Sequence, residues 1–224
     1  RSYEAPALFY LIQKIFTLQT LDQVKTRCLE NGFTEDEWKR LTAYIAAFLQ
    51  NRGNYFSFGD NKFIPEISRE KFWTFIKGSE AYNLIPQQVE EIWKSIADEI
   101  YAYEKPYGQL GFTDDECLSS YYTPNMSKAD CEFVQEFVVS TGLWPLNTRV
   151  VKIDDNNYKI LVCSENSGGK SYEYKGKNMS IVYGDFSSFM YKTSNYLQEA
   201  QKYAANDNQK KMIQEYIEHF RTGD

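Results

Sequence analysis

Residues 51–65 read Asn-Arg-Gly-Asn-Tyr-Phe-Ser-Phe-Gly-Asp-Asn-Lys-Phe-Ile-Pro, and between Gly53 and Gly59 aromatic and polar side chains alternate as Tyr55, Phe56, Ser57 and Phe58. The chemistry on offer is recognition, not bond making. Ser57 and Asp60 supply hydrogen-bonding groups, the rings supply apolar faces, and Gly59 lets another backbone approach closely. Gly53 follows a helical pattern and suits a left-handed helix terminator. The competing reading is a helix connector whose aromatics fill core.

Other groups able to do chemistry are sparse. Residues 164–171, Ser-Glu-Asn-Ser-Gly-Gly-Lys-Ser, end like a phosphate-binding loop, but Ser164 stands where the first glycine belongs. Tyr172-Glu-Tyr-Lys after it reads as extended, so the helix N-terminus that would face a phosphate is missing. Asp154-Asp-Asn-Asn157 lacks the alternating ligands, central glycine and distal glutamate of a calcium loop, and reads as a turn. His219 is the only histidine and sits in the last turn of a helical pattern, where an imidazole complements the dipole. Without a neighbouring His or Cys at ligand spacing it makes no zinc site, and no nucleophile elbow supports a triad. Asp114 with Asp115, and Glu90 with Glu91, read as solvated faces. No catalytic and no metal-ligating residue is assigned.

Composition narrows the partners. The chain has 224 residues with a formal net charge of −6, which disfavours nucleic acid and suits cationic ligands, including peptides with free amino termini. Aromatic content is high, 18 Tyr and 15 Phe against 4 Met, as peptide or sugar binding would use. Cys28, Cys117, Cys131 and Cys163 form no close pair, so neither a zinc cluster nor a redox motif is indicated. Free thiols suit a reducing compartment, and a cytoplasmic location is expected despite Asn-Met-Ser sequons at Asn125 and Asn178. No apolar run approaches the roughly 20 residues that span a bilayer, so no membrane partner is expected. The chain opens at Arg1 without a signal peptide and runs at once into a helical pattern, which reads as a segment of something longer.

The elements that must position the loop are mostly helical. Leu8, Leu11, Ile12 and Ile15 form one stripe, and a second helix runs from about Leu21 to Glu30 before Gly32. Thr34 with Glu37 makes a capping box for a helix with the stripe Trp38, Leu41, Ile45, Phe48 and Leu49. Beyond the loop, Ser68 caps a short helix through Phe72, Phe75 and Ile76, and Pro86 opens one carrying Val89, Ile92, Trp93, Ile96 and Ile100. Ser127 with Asp130 starts another, with Phe133, Val134, Phe137 and Val138 inward and Gly142 past its end. From Asn147 the period changes to strands at 149–153 and 158–163, a flexible loop at 164–170, and short strands at 172–175 and 179–183. Asp185 caps a long helix with Phe186, Phe189, Met190, Leu197, Ala200 and Ala204 aligned, and a last helix carries Met212, Ile213, Tyr216, Ile217 and Phe220. The fold class is α+β, predominantly helical, with one small antiparallel sheet over about residues 147–183. The chain is taken as one segment with a helical part (1–145), a β-hairpin part (146–184) and a helical pair (185–224).

The first motif resembles the dipeptidyl peptidase III family, in which a segment Asn-Tyr-x-Ser-Phe-Gly-Asp-x-Lys-Phe-x-Pro recurs; Asn54, Tyr55, Ser57, Phe58, Gly59, Asp60, Lys62, Phe63 and Pro65 match it. Lys202-Tyr-Ala-Ala-Asn206, Gln209, Met212 and residues 214–220 resemble the family's Tyr-Ala-Ala-Asn helix pair, with Asn147-Thr-Arg149, Ser171-Tyr-Glu-Tyr174 and Gly184-Asp185 in order between, and Glu4-Ala-Pro6 near the start. The resemblance implies a zinc exopeptidase that releases dipeptides from the amino termini of short peptides. It implies two lobes around a cleft, this chain being the N-terminal part of the lobe with a five-stranded β core. The zinc-binding lobe of the same chain is then the missing partner, zinc belongs to the full-length protein, and this segment alone binds none and is inactive. By the same resemblance Ser57, Phe58 and Gly59 border the cleft near the peptide's amino-terminal residues, with Asn54, Tyr55 and Asp60 as support.

Two other readings stand beside it. One is a non-catalytic peptide-binding or interaction module without the metal lobe. The other is a nucleotide-binding enzyme using residues 167–171.

Overall fold

The computed structural model describes residues 2–119, 121–143 and 145–223. The chain divides into two compact units, Arg1–Ser120 and Tyr121–Asp224.

The first unit holds α1 (Ala5–Leu18), α2 (Leu21–Glu30), α3 (Glu35–Asn51), α4 (Arg69–Lys77), α5 (Glu80–Leu84) and α6 (Pro86–Tyr101). Their ends are set by local chemistry. Thr20 with Gln23 and Thr34 with Glu37 form reciprocal capping boxes on α2 and α3, Ser68 accepts from the Lys71 N–H on α4, and Pro86 opens α6 where no donor is needed. The apolar stripes converge: Leu8, Leu11, Ile12 and Ile15 of α1 meet Leu41, Ile45 and Phe48 of α3 and Val89, Ile96 and Ile100 of α6 in one core. Trp93 of α6 stacks on Phe72 and Trp73 of α4, with ring centroids 5.4 and 5.8 Å apart. Such offset aromatic pairs add to area burial, and much of the aromatic surplus is spent here.

The second unit is a four-stranded sheet with helices. Strands β1 (Thr148–Asp154), β2 (Asn157–Cys163), β3 (Gly168–Tyr174) and β4 (Lys177–Asp185) lie in the order β1-β2-β4-β3. α7 (Lys128–Thr141), opened by a Ser127–Asp130 capping box and closed by left-handed Gly142, packs Val134, Phe137 and Val138 onto Tyr158, Ile160, Val162, Met179 and Ile181. α8 (Ser187–Gln201) and α9 (Asp207–Thr222) form a hairpin in which Gln201 Nε2 donates to Lys210 O at 2.9 Å. The end of α9 is tied to the turn after β2, where the Glu165 and Asn166 N–H groups donate to Phe220 O and Arg221 O, both at 2.9 Å.

The α+β class and the helix positions agree with the sequence reading, and five details are corrected. The sheet is mixed, not antiparallel, because β4 slots between β2 and β3 and so runs parallel to β2. β3 starts at Gly168, inside the expected flexible loop, because Gly169 and Lys170 pair with Val182 and Ile181; a side chain at Gly169 would meet Ile181 O at 2.8 Å. Asp185 does not cap α8. It ends β4 and pairs with Arg149, while Phe186 takes the cap position in a left-handed conformation with no side-chain cap. Leu49 is exposed, since it lies off the stripe that buries Leu41, Ile45 and Phe48. The aligned residues of α8 are largely open, with Phe186 and Phe189 exposed and Ser194 the buried residue of that helix.

Candidate functional site

Residues 54–63 leave α3 and return as a tight excursion. Arg52, not Gly53, adopts the left-handed conformation that closes α3 (φ +54°), a geometry open to non-glycine residues at modest cost, and its N–H donates to Phe48 O. Tyr55 and Lys62 then bridge antiparallel, the Phe56 N–H donates to Asn61 O at 3.0 Å, and the Phe63 N–H donates to Asn54 O at 2.9 Å. Gly59 (φ +90°) and Asp60 (φ +54°) turn the chain at the tip. A side chain built on Gly59 would meet only Asn61 Nδ2 at 3.5 Å, so the backbone angle and not crowding demands glycine, and the tip stays open to an incoming backbone. A second segment buttresses the base: the Lys62 N–H donates to Gly108 O at 2.9 Å and the Leu110 N–H to Asp60 O at 3.0 Å.

The six residues singled out from sequence fall into two groups. Asn54 and Tyr55 are buried, whereas Ser57, Phe58 and Gly59 are exposed and Asp60 is half-buried. Phe58 is 95% exposed, the most open large apolar side chain described in the chain. Phe56 is partly exposed and leans on Phe63 at 4.8 Å, and the Ser57 N–H donates to Asn51 Oδ1 at 2.8 Å, which fixes the rise into the tip. The core-filling reading holds for Tyr55 alone among the loop's first three aromatics.

Beneath the tip lies a charged layer that the sequence reading passed over. Asn54, Glu4 and Lys62 are 0, 4 and 3% exposed. Asn54 Nδ2 donates to Glu4 Oε1 at 2.7 Å, and the Tyr44 hydroxyl donates to Asn54 Oδ1. Lys62 Nζ donates to Glu99 O at 2.5 Å, stands 4.0 Å from Glu4 Oε1, and sits 5.7 and 5.6 Å from the ring centres of Tyr55 and Tyr107. Burial pulls the Lys62 ammonium below its ordinary range, against the opposing pull of Glu4 and Glu99. Burial likewise pushes the Tyr55 hydroxyl up, reinforced by Glu4, Glu99 and Tyr107. Glu4 and Lys62 were visible only as letters of the two matching motifs. Nothing in their spacing, 58 positions apart in the chain, announces that they meet.

The remaining candidates do not assemble into sites. Residues 168–171 belong to β3, so the phosphate-loop reading has no helix behind it. Asp154 makes the β1–β2 turn, its Oδ1 accepting from the Asn156 N–H at 2.8 Å and Asn157 Nδ2 at 2.7 Å. His219 lies near the end of α9 with its ring 5.4 Å from that of Phe220. Among the described residues no group of three His, Cys, Asp or Glu stands close enough to hold a metal ion, and no helix is long and apolar enough to cross a membrane.

Similarity to known proteins covers both units. The model of Peptidase family M49 matches residues 92–224. Over 99% of its length the chain is 37% identical to Dipeptidyl peptidase 3 of Dictyostelium discoideum, 34% to that of Nematostella vectensis and 32% to that of Homo sapiens, covering 31, 33 and 32% of those proteins. The chain spans about a third of the length of these curated relatives. The loop at 54–63 lies ahead of the family model's match and inside the similarity to the relatives, and with more than half of its residues matched the chain belongs to peptidase family M49.

Proposed function

We propose that this chain is one part of a dipeptidyl peptidase that removes dipeptides from the amino termini of short peptides, and that its loop at 54–60 forms a wall of the peptide cleft. The observation that carries the cleft role is Phe58: a phenyl ring 95% exposed at the tip of a loop whose base is buried and hydrogen-bonded. An open aromatic on a rigid support is costly to hold in water and useful for contacting an apolar side chain of a ligand. Ser57 offers its hydroxyl beside the ring, and Gly59 leaves space for an extended backbone to pass. Asn54 and Tyr55, being buried, serve from below, and Asp60 holds the turn through its left-handed backbone and its carbonyl bond to Leu110.

Zinc is the cofactor this reading assigns to the complete enzyme. The described residues do not fit it: they bring together no three metal-ligating side chains, and the sequence carries one histidine. On this reading the metal's ligands and the cleavage chemistry lie in polypeptide outside this chain, which is also the partner that completes the cleft, and the chain by itself is inactive. The reading places the enzyme in the cytoplasm.

The test is hydrolysis of dipeptidyl-arylamides by the complete polypeptide, with its zinc content measured alongside. Release of dipeptides with bound zinc supports the reading. Release of single amino acids, or zinc-replete protein with no peptidase activity, contradicts it.

A further inference from the structure

We infer that Glu4 is a positioning residue of the peptide cleft, a single buried carboxylate that fixes both legs of the loop carrying Phe58. This rests on the cleft reading above and adds the device that holds the tip in place.

Three observations carry it. Glu4 occupies the N-cap of α1 yet makes no side-chain cap there, so its carboxylate is not used for the helix it begins. Its Oε1 instead accepts from Asn54 on the ascending leg at 2.7 Å and stands 4.0 Å from Lys62 on the descending leg. Each leg is anchored once more: Asn54 to α3 through the Tyr44 hydroxyl, and Lys62 to the last-turn carbonyl of Glu99 in α6, where a cation complements the helix dipole. Three helices thus converge on two residues of one loop, and the carboxylate is their shared centre.

Stability alone does not account for such a layer. A buried ion pair gains little over well-packed apolar residues, because desolvating both charges offsets their attraction. Directional bonds do specify one arrangement where apolar packing admits several. Between the anchors, Ser57, Phe58 and Gly59 are exposed, and Phe58 at the tip is 95% open, so its position depends on the legs below it. Loss of the carboxylate therefore releases the tip before it releases the fold, and a misplaced contact of about an ångström costs up to ~100-fold in a pre-organised site.

The experiment uses the complete polypeptide with Glu4→Gln, the double variant Glu4→Leu/Lys62→Met, and Phe58→Ala. The double variant removes both charges together, so neither is left buried and unpaired, and it keeps the test open if Glu4→Gln alone does not fold. Amide hydrogen exchange is compared between residues 55–61 and residues 41–48 of α3, with KM and kcat for a dipeptidyl-arylamide. The expected result is loop exchange faster by about tenfold with α3 unchanged, and KM raised about five- to tenfold with kcat within about twofold, Glu4→Gln falling between wild type and the double variant. Unchanged loop exchange overturns the inference. So does faster loop exchange with unaltered KM while Phe58→Ala raises KM. If Phe58→Ala also leaves KM unaltered, the cleft reading itself fails and takes the inference with it.

Discussion

Lys152 Nζ donates to Asp130 Oδ2 at 2.9 Å while the Tyr158 hydroxyl donates to the other oxygen of the same carboxylate. The Ser127 N–H and hydroxyl add two more donors at 2.9 and 2.8 Å, so the N-terminus of α7 and the strands β1 and β2 share one buried charge. Burial raises the Asp130 carboxyl, and the bonds from Tyr158, Ser127 and Lys152 outweigh it and hold the group well below the ordinary carboxylate range.

The sign of the pH dependence follows from that depression. Stabilisation by Asp130 is present above the ordinary carboxylate range and is lost as pH falls through that range toward the lowered value. Asp130→Asn should therefore lower Tm most near neutral pH, with the gap to wild type closing on acidification. A gap independent of pH would contradict the assignment. On the alkaline side Tyr158, pushed up to about 12, contributes stability below its ordinary range that is lost between that range and about 12.

Arg149 joins the edge strand β1 to the end of β4 by two parallel bonds to Asp185, 2.7 and 2.8 Å, and lies 5.0 Å over the Phe186 ring. Lysine keeps the charge and loses both the fork and the flat face. Because Arg149 is partly exposed, Arg149→Lys should cost about 1 kcal/mol, a fall of ~2–4 °C in Tm by calorimetry. Arg149→Lys at wild-type Tm would show the pair to be ornamental.

Gly223 closes α9 at φ +83°, and a side chain there would stand 2.7 Å from Val162 Cγ1 and 3.4 Å from Cys163 O. Backbone angle and contact both exclude alanine, so Gly223→Ala should destabilise by roughly 2 kcal/mol or more. The urea midpoint reads the effect. A midpoint within error of wild type would mean that α9 does not dock on β2 as described.

Local signals carried much of this architecture. The capping boxes at Thr34–Glu37 and Ser127–Asp130, the proline at 86 and the stripes of α1, α3 and α6 are short-range chemistry, and they mark the same elements in sequence and structure. What sequence left hidden is non-local. The parallel pairing of β2 with β4, the use of Asp185 against Arg149, and the meeting of Glu4, Asn54 and Lys62 all join residues far apart in the chain. At the candidate site, the glycines and aromatic run marked out an ordered loop, but not that Tyr55 is buried while Phe58 is exposed, because alternation fixes faces only once a partner strand is known.

Phe58→Ala in the complete polypeptide tests the central claim most directly. With the ring 95% exposed, its loss should leave unfolding stability unchanged within about 0.5 kcal/mol, while KM for peptide substrates rises about tenfold, the equivalent of ~1.4 kcal/mol of lost contact, and zinc content stays at the wild-type level. Wild-type KM across substrates that differ in their two amino-terminal residues would contradict the claim that this loop faces the peptide.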